Sequence, residues 1–220
     1  MILFEECEVI GWDHAIRGMR NPMNSWDKSD TVFDLNGVYM KTYLGEADLK
    51  LMKNLVKAGT DHRKFMRMLT VYVDLTAPLY WWKEFDTYKV GTVANSCSTM
   101  HKIHAKEFTM DDFSREHLLT GSMFQLHRTV DLLNEARELF LETKDKCYWW
   151  QMIQLLPSSY NQKRTVMLNY EVLANIYKSR KNHKLDEWRD FCKWIESLPY
   201  SELITGKGEH HESNAIGESS

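Results

Sequence analysis

The chain has 220 residues, enough for one compact domain with a sizeable core. Its 28 Lys and Arg against 31 Asp and Glu leave a net charge of −3, so charge gives no reason to expect nucleic acid or an anionic membrane as the main partner. Eight Trp, ten Tyr and nine Phe argue against disorder, and no run of about 18 apolar residues predicts a transmembrane helix.

The N-terminal segment carries Glu5, Glu6 and Glu8 and has no basic stretch before an apolar one, so no secretory signal is expected. Cys7 to Ile10 reads as a short strand and Trp12 to Met19 as a short helix. Asn36-Gly37 predicts a hairpin between Thr31–Phe33 and Val38–Met40. Leu49, Met52, Leu55 and Val56 share one face of a helix over 46–58, with Gly59 at its C-terminal cap. Alternation over 66–76 predicts a strand with one strongly apolar face, ended by Ala77-Pro78 and followed by a helix to Phe85. Thr92 to Ser98 is small and polar and reads as a loop.

Helices dominate the second half: Met123 to Leu141, Tyr148 to Leu156, Arg164 to Lys181 and Leu185 to Leu198. The pattern is α+β, a small mixed sheet with long helices, in a single domain over 1–205 with a flexible tail over 206–220. Four scattered cysteines without a Cys-x-x-Cys pair predict reduced thiols and a cytoplasmic location. His101 and His104 lack a third ligand nearby, so no metal site is expected. Trp81-Trp82 and Trp149-Trp150 each aim two indoles in different directions, one toward the core and the other toward a subunit or ligand.

Leu156-Pro157, followed by Asn169, Leu173, Asn175 and Arg180 and then Asp186-Glu187-Trp188, resembles the C-terminal signature of the flavin-dependent thymidylate synthases. Val71 to Lys89 is similar to the family's strand, Ala-Pro, aromatic helix and basic triad. Gly59-Thr60-Asp61-His62 is similar to its Gly-His turn, Ile16 to Arg20 to its small-residue-then-Arg segment, and Asn95-Ser96-Cys97-Ser98 to its Asn-Glu-x-Ser. The order of pieces agrees across roughly residues 10–200. On a single helix, Asn169 and Arg180 would lie about 20° apart and share a face.

The resemblance implies the family's α+β fold, a homotetramer, and FAD and a pyrimidine nucleotide as ligands. It implies His62, Tyr88, Lys89, Asn169 and Asn175 as cofactor contacts and Asn95, Ser98 and Arg180 as substrate contacts, and it implies no protein nucleophile. The family reaction passes a methylene group from a folate to dUMP and then a hydride from reduced FAD, with the flavin carrying the hard step.

The departures are specific. Thr87-Tyr88-Lys89 stands where the family has Arg-His-Arg, and Glu84 stands for a Gln. Met100 and Ile153 stand where the family places phosphate-gripping arginines, whose paired donors neither side chain reproduces. Arg17, Arg20, Lys102 and Arg164 remain as candidate replacements. Three functions follow: a diverged flavin-dependent nucleotide enzyme, a non-catalytic nucleotide-like ligand-binding or interaction protein on the same scaffold, or a purely structural oligomer.

Overall fold

The computed structural model describes residues 1–34 and 41–207. A four-stranded sheet holds β1 (Leu3–Ile10), β4 (Thr70–Pro78), β6 (Asn161–Asn169) and β5 (Val93–Ser96), in the order β1-β4-β6-β5. A separate hairpin pairs β2 (Val32–Asp34) with β3 (Lys41–Tyr43). Its first strand falls where expected, whereas Asn36-Gly37 and Val38–Met40 lie outside the described residues.

Strand β4 is the spine of the sheet. Val71, Val73, Leu75 and Ala77 are at most 1% exposed, and the alternating Thr70, Tyr72, Asp74 and Thr76 point to the opposite face. It starts at Thr70 rather than at Met66, because Lys64–Arg67 winds into a short 3₁₀ turn that buries Phe65 and Met66.

Every pairing in the sheet is antiparallel, so the expected mixed sheet narrows to an antiparallel one. The cause is where the chain leaves and returns. It departs at Pro78 and re-enters beside it at Asn161, its register partner. Leu79 and Tyr80 donate backbone hydrogen bonds to Tyr160 O and Ser158 O, both at 3.0 Å, which pins the two ends together.

The helices are α1 (Trp12–Arg20), α2 (Glu46–Ala58), α3 (Leu79–Phe85), α4 (Thr120–Thr143), α5 (Lys146–Leu155), α6 (Tyr170–Arg180), α7 (Asp186–Glu196) and α8 (Glu202–Thr205). The expected helix over Arg164–Lys181 is corrected: its first part belongs to β6, and helix begins only at Tyr170. Thr92–Ser98 is corrected as well, since Val93–Ser96 forms an edge strand on β6. Of the expected tail, residues 208–220 lie outside the described residues.

Two apolar clusters hold these elements. The larger lies under the sheet's inner face, where Trp81, Trp82, Tyr170, Trp188 and Phe191 are each at most 1% exposed. Trp81 packs on Trp188 and Phe191 of α7, while Trp82 donates its indole N–H to Gln162 O of β6 at 3.0 Å. Both indoles are therefore core, against the expectation that one would face a ligand or subunit: α7 takes Trp81 and β6 takes Trp82, and the open side of α3 carries Lys83 instead. The smaller cluster joins Leu126, Val130, Leu133 and Ala136 of α4, at helical spacing, to Met152 of α5 and to Ile103, Phe108 and Phe113. There Trp149 is partly buried against the cluster and Trp150 is exposed.

The loop after α1 is held by a buried ion pair. Arg20 Nε donates to Asp48 Oδ1 at 2.7 Å, and both side chains are almost wholly buried. Asp48 Oδ2 accepts from Ser29 Oγ, Thr31 Oγ1 and the backbone N–H groups of Asp30 and Thr31. Asp30 in turn accepts from the N–H groups of Ala47 and Asp48, which would otherwise be unpaired in the first turn of α2. Among the described residues no helix is long and apolar enough to cross a membrane.

Candidate functional site

The site is assembled where α3 ends. Its last turn carries Glu84, and the chain then passes through Tyr88, Lys89 and Gly91 before joining β5. That loop lies against α6. Arg180, in the last turn of α6, donates from Nη1 to Glu84 Oε2 at 2.6 Å and from Nε to the Tyr88 hydroxyl at 2.9 Å. The guanidinium carbon sits 4.6 Å from the Trp188 ring centre, a cation–π distance. The Trp188 indole N–H donates to the same Glu84 oxygen at 2.9 Å, and His183 Nε2 lies 3.5 Å from it. Tyr88 and Arg180, expected on cofactor and substrate respectively, are brought together inside a clasp closed by a carboxylate.

Asn169 is the last residue of β6 and the N-cap of α6, so it does not share a helix face with Arg180. Its side-chain oxygen accepts from Val172 N at 3.0 Å. Gly91 closes on it with φ of 76°, and a β-carbon there would stand 3.0 Å from Asn169 Nδ2. Glycine is needed at this position for both the left-handed backbone and the close approach.

Between this loop and the sheet lies a cleft of about 430 Å³, lined by Phe85, Asp86, Tyr88, Lys89, Thr92, Ala94 and Arg164. That volume is in the range of small-molecule sites. Arg164 donates from Nη1 to Asp86 Oδ1 at 2.7 Å and from Nε to Gln162 Oε1 at 3.0 Å, and stacks 4.1 Å from the Trp82 ring centre. Lys89 is exposed beside it. Arg164 was only one of four candidate cations in the sequence. Of the others, Arg20 is spent on Asp48, Arg17 bonds His14 at the surface, and Lys102 lines a different cavity.

The remaining expected contacts are more scattered. His62 is exposed, on a turn fastened to the start of α6 by its neighbour Arg63. Arg63 Nε and Nη2 grip the two oxygens of Glu171 at 2.9 and 3.0 Å. Asn175 is exposed on α6. Asn95 is paired with Thr165 on the sheet face that carries Asp74, away from the cleft. Ser98 lines two adjoining cavities of about 320 and 360 Å³, together with Cys97, Lys106 and Tyr160. Its hydroxyl accepts from the N–H groups of Met100 and His101 and so shapes its own turn. There a hydrogen bond to Asp112 pushes the Lys106 ammonium up from its usual value, and burial does the same to the Tyr160 phenol. At the two substituted arginine positions, Met100 accepts at its carbonyl from the Trp149 indole, and Ile153 packs against the second core.

No family model matches the sequence, and no curated protein matches it. Solved structures do. The thymidylate synthase X (ThyX) of Helicobacter pylori, crystallised with FAD and dUMP, aligns with a TM-score of 0.63 at 16% identity over 93% of this chain and 95% of that one. The UMP/dUMP methylase PolB of Streptomyces cacaoi, bound with 5-Br dUMP, aligns with a TM-score of 0.58 at 13% identity over 94% of this chain and 95% of that one. Coverage near the whole of both partners, with the sheet and α3–α6 arrangement described above, gives this chain the fold of the flavin-dependent thymidylate synthases.

Proposed function

We propose that the protein binds FAD and a pyrimidine nucleotide at the cleft beside α3 and α6, as a diverged flavin-dependent enzyme acting on a nucleotide. The observation that supports this most is a cleft lined by Tyr88, Lys89 and Arg164, with Arg180 hydrogen-bonded to Tyr88, in a fold that neighbours use to hold FAD and dUMP. The residues present fit a flavin nucleotide. Lys89 offers positive charge to an anionic group, Arg164 beside it pairs with Asp86, and the Asn169 amide nitrogen is left over from capping.

FAD, when bound, supplies hydride chemistry. The chain's own part is to hold and orient. Tyr88 lines the cleft and is held by Arg180, itself locked by Glu84, and Thr92 and Ala94 line it as well. We further propose a cytoplasmic homotetramer whose sites lie between subunits, which would bring His62, Asn95, Ser98 and Asn175 into use, with one domain over 1–205.

The test is the absorption spectrum in the flavin bands before and after adding FAD, followed by dithionite. A bound yellow chromophore that bleaches is expected, and a protein that takes up no FAD refutes the flavin reading. A second reading is favoured by Met100 and Ile153, which leave the family's phosphate grip unmade: binding of a nucleotide-like ligand without turnover. Formation of dTMP from dUMP, folate and a reductant would exclude it.

A further inference from the structure

The cleft holds an ion pair whose two halves are anchored unequally. Arg164 reaches it from β6 with a guanidinium fixed twice without help from any acid. The guanidinium carbon lies 4.1 Å from the Trp82 ring centre, and Nε donates to Gln162 Oε1 at 3.0 Å. Gln162 is itself buried, and its Nε2 donates to Cys97 O at 2.7 Å, which turns its oxygen toward Arg164. Asp86 is the loose half. It accepts from Nη1, but its side chain is 52% exposed against 14% for that of Arg164. It also stands at the C-terminal end of α3, where a carboxylate faces the negative pole of the helix. Arg164 Nη2 has no hydrogen bond among the described residues. Lys89 is exposed in the same cleft, so two cations face one carboxylate there. Thr92, another lining residue, has a buried hydroxyl without a partner among the described residues. A phosphate in place of Asp86 would meet a planar donor already held in position, a second cation and an unused hydroxyl.

We propose that Asp86 is the displaceable occupant of a phosphate subsite. A phosphate monoester takes Nη1 and Nη2 of Arg164, with Lys89 beside it, and turns the Asp86 carboxylate out to solvent. This rests on the nucleotide-binding reading above and deepens it, since it gives the phosphate a partner in a chain whose Met100 and Ile153 leave the expected grip unmade. Asp86→Asn removes the competing charge, keeps a neutral acceptor for Arg164 and changes an exposed position, so the fold is retained, as a melting curve checks.

The experiment is calorimetric titration of the full chain, wild type and D86N, with two pairs of ligands: dUMP against deoxyuridine, and FMN against riboflavin. D86N should tighten the phosphate-bearing member of at least one pair by about tenfold, the size of one charge-assisted contact, and leave its phosphate-free counterpart within about twofold. The pair that responds tells whether the phosphate belongs to the nucleotide or to the flavin. The gain should vanish in the D86N/R164Q double variant. Equal shifts within both pairs, no gain in either, a gain that survives R164Q, or no binding of any of the four ligands overturns the proposal. FAD uptake by the wild type is read separately from its absorption: uptake without a D86N gain removes this assignment and leaves the flavin reading standing.

Discussion

Replacing Asp48 by Asn removes one charge from the most densely bonded carboxylate among the described residues. One oxygen takes Arg20 at 2.7 Å; the other takes two hydroxyls and two backbone N–H groups at 2.7 to 3.2 Å. An Asn has only one acceptor oxygen, so either Arg20 or four other donors would face an NH₂ group. Breaking a buried pair costs about 3–5 kcal/mol, which for a chain of this length lowers Tm by on the order of 10 °C. Burial alone would raise the Asp48 pKa, but the hydroxyls of Ser29 and Thr31, with Arg20, outweigh it and hold the carboxyl below its usual range.

That direction fixes the sign of the pH dependence. A depressed carboxyl pKa contributes stability that is complete above the unfolded value of about 4 and is lost as pH falls through the lower folded value. Urea unfolding of wild type and D48N at pH 7, and at a series of pH values below 4, measures this. The gap between them should be full at pH 7 and narrow in acid. A gap under about 1 kcal/mol at neutral pH, or one that does not change with pH, would refute the claim that these contacts outweigh burial.

Asn169→Ala should cost about 1 kcal/mol by uncapping α6, while Asn169→Asp keeps the cap acceptor and costs less. Both lose the amide nitrogen, so FAD titration should show about tenfold weaker binding in each, which separates capping from ligand contact. Lys89→Ala should weaken FAD by a similar factor of about ten and flatten the salt dependence of its binding, read by titration at two ionic strengths. Burial pushes the Cys192 thiol up to about 11, so in native protein at pH 8 it should resist a thiol reagent that modifies the exposed Cys97, and should react only in denaturant.

The parts of the fold that read clearly from the sequence were those with one dominant period. The β4 alternation and the α2 stripe are of this kind, and the order of family-like segments mapped onto the observed fold. Strand β6 did not read as a strand because two of its inward positions are polar. Gln162 faces the core and donates to Cys97 O, and Arg164 is inward because Trp82 and Asp86 receive it. With only Val166 and Leu168 apolar on that face, the segment blended into the helical spacing of Leu173 and Ile176. Strand β5 carried no signal, since all four of its residues are exposed. Tyr88 and Arg180 are named by resemblance alone, and their clasp depends on Glu84, 96 residues away from Arg180, a contact that no local pattern announces.

Asn169 belongs at once to β6, through its pairing with Thr70, and to the capping of α6, with no spacer between them. The helix is therefore keyed to the sheet like a shaft to a gear. One residue inserted at this junction would turn α6 by about 100° and slide it about 1.5 Å, carrying Arg180 off Glu84 and off the Trp188 face. The length of chain at this joint, more than the identity of any single side chain around it, sets the alignment of the whole clasp.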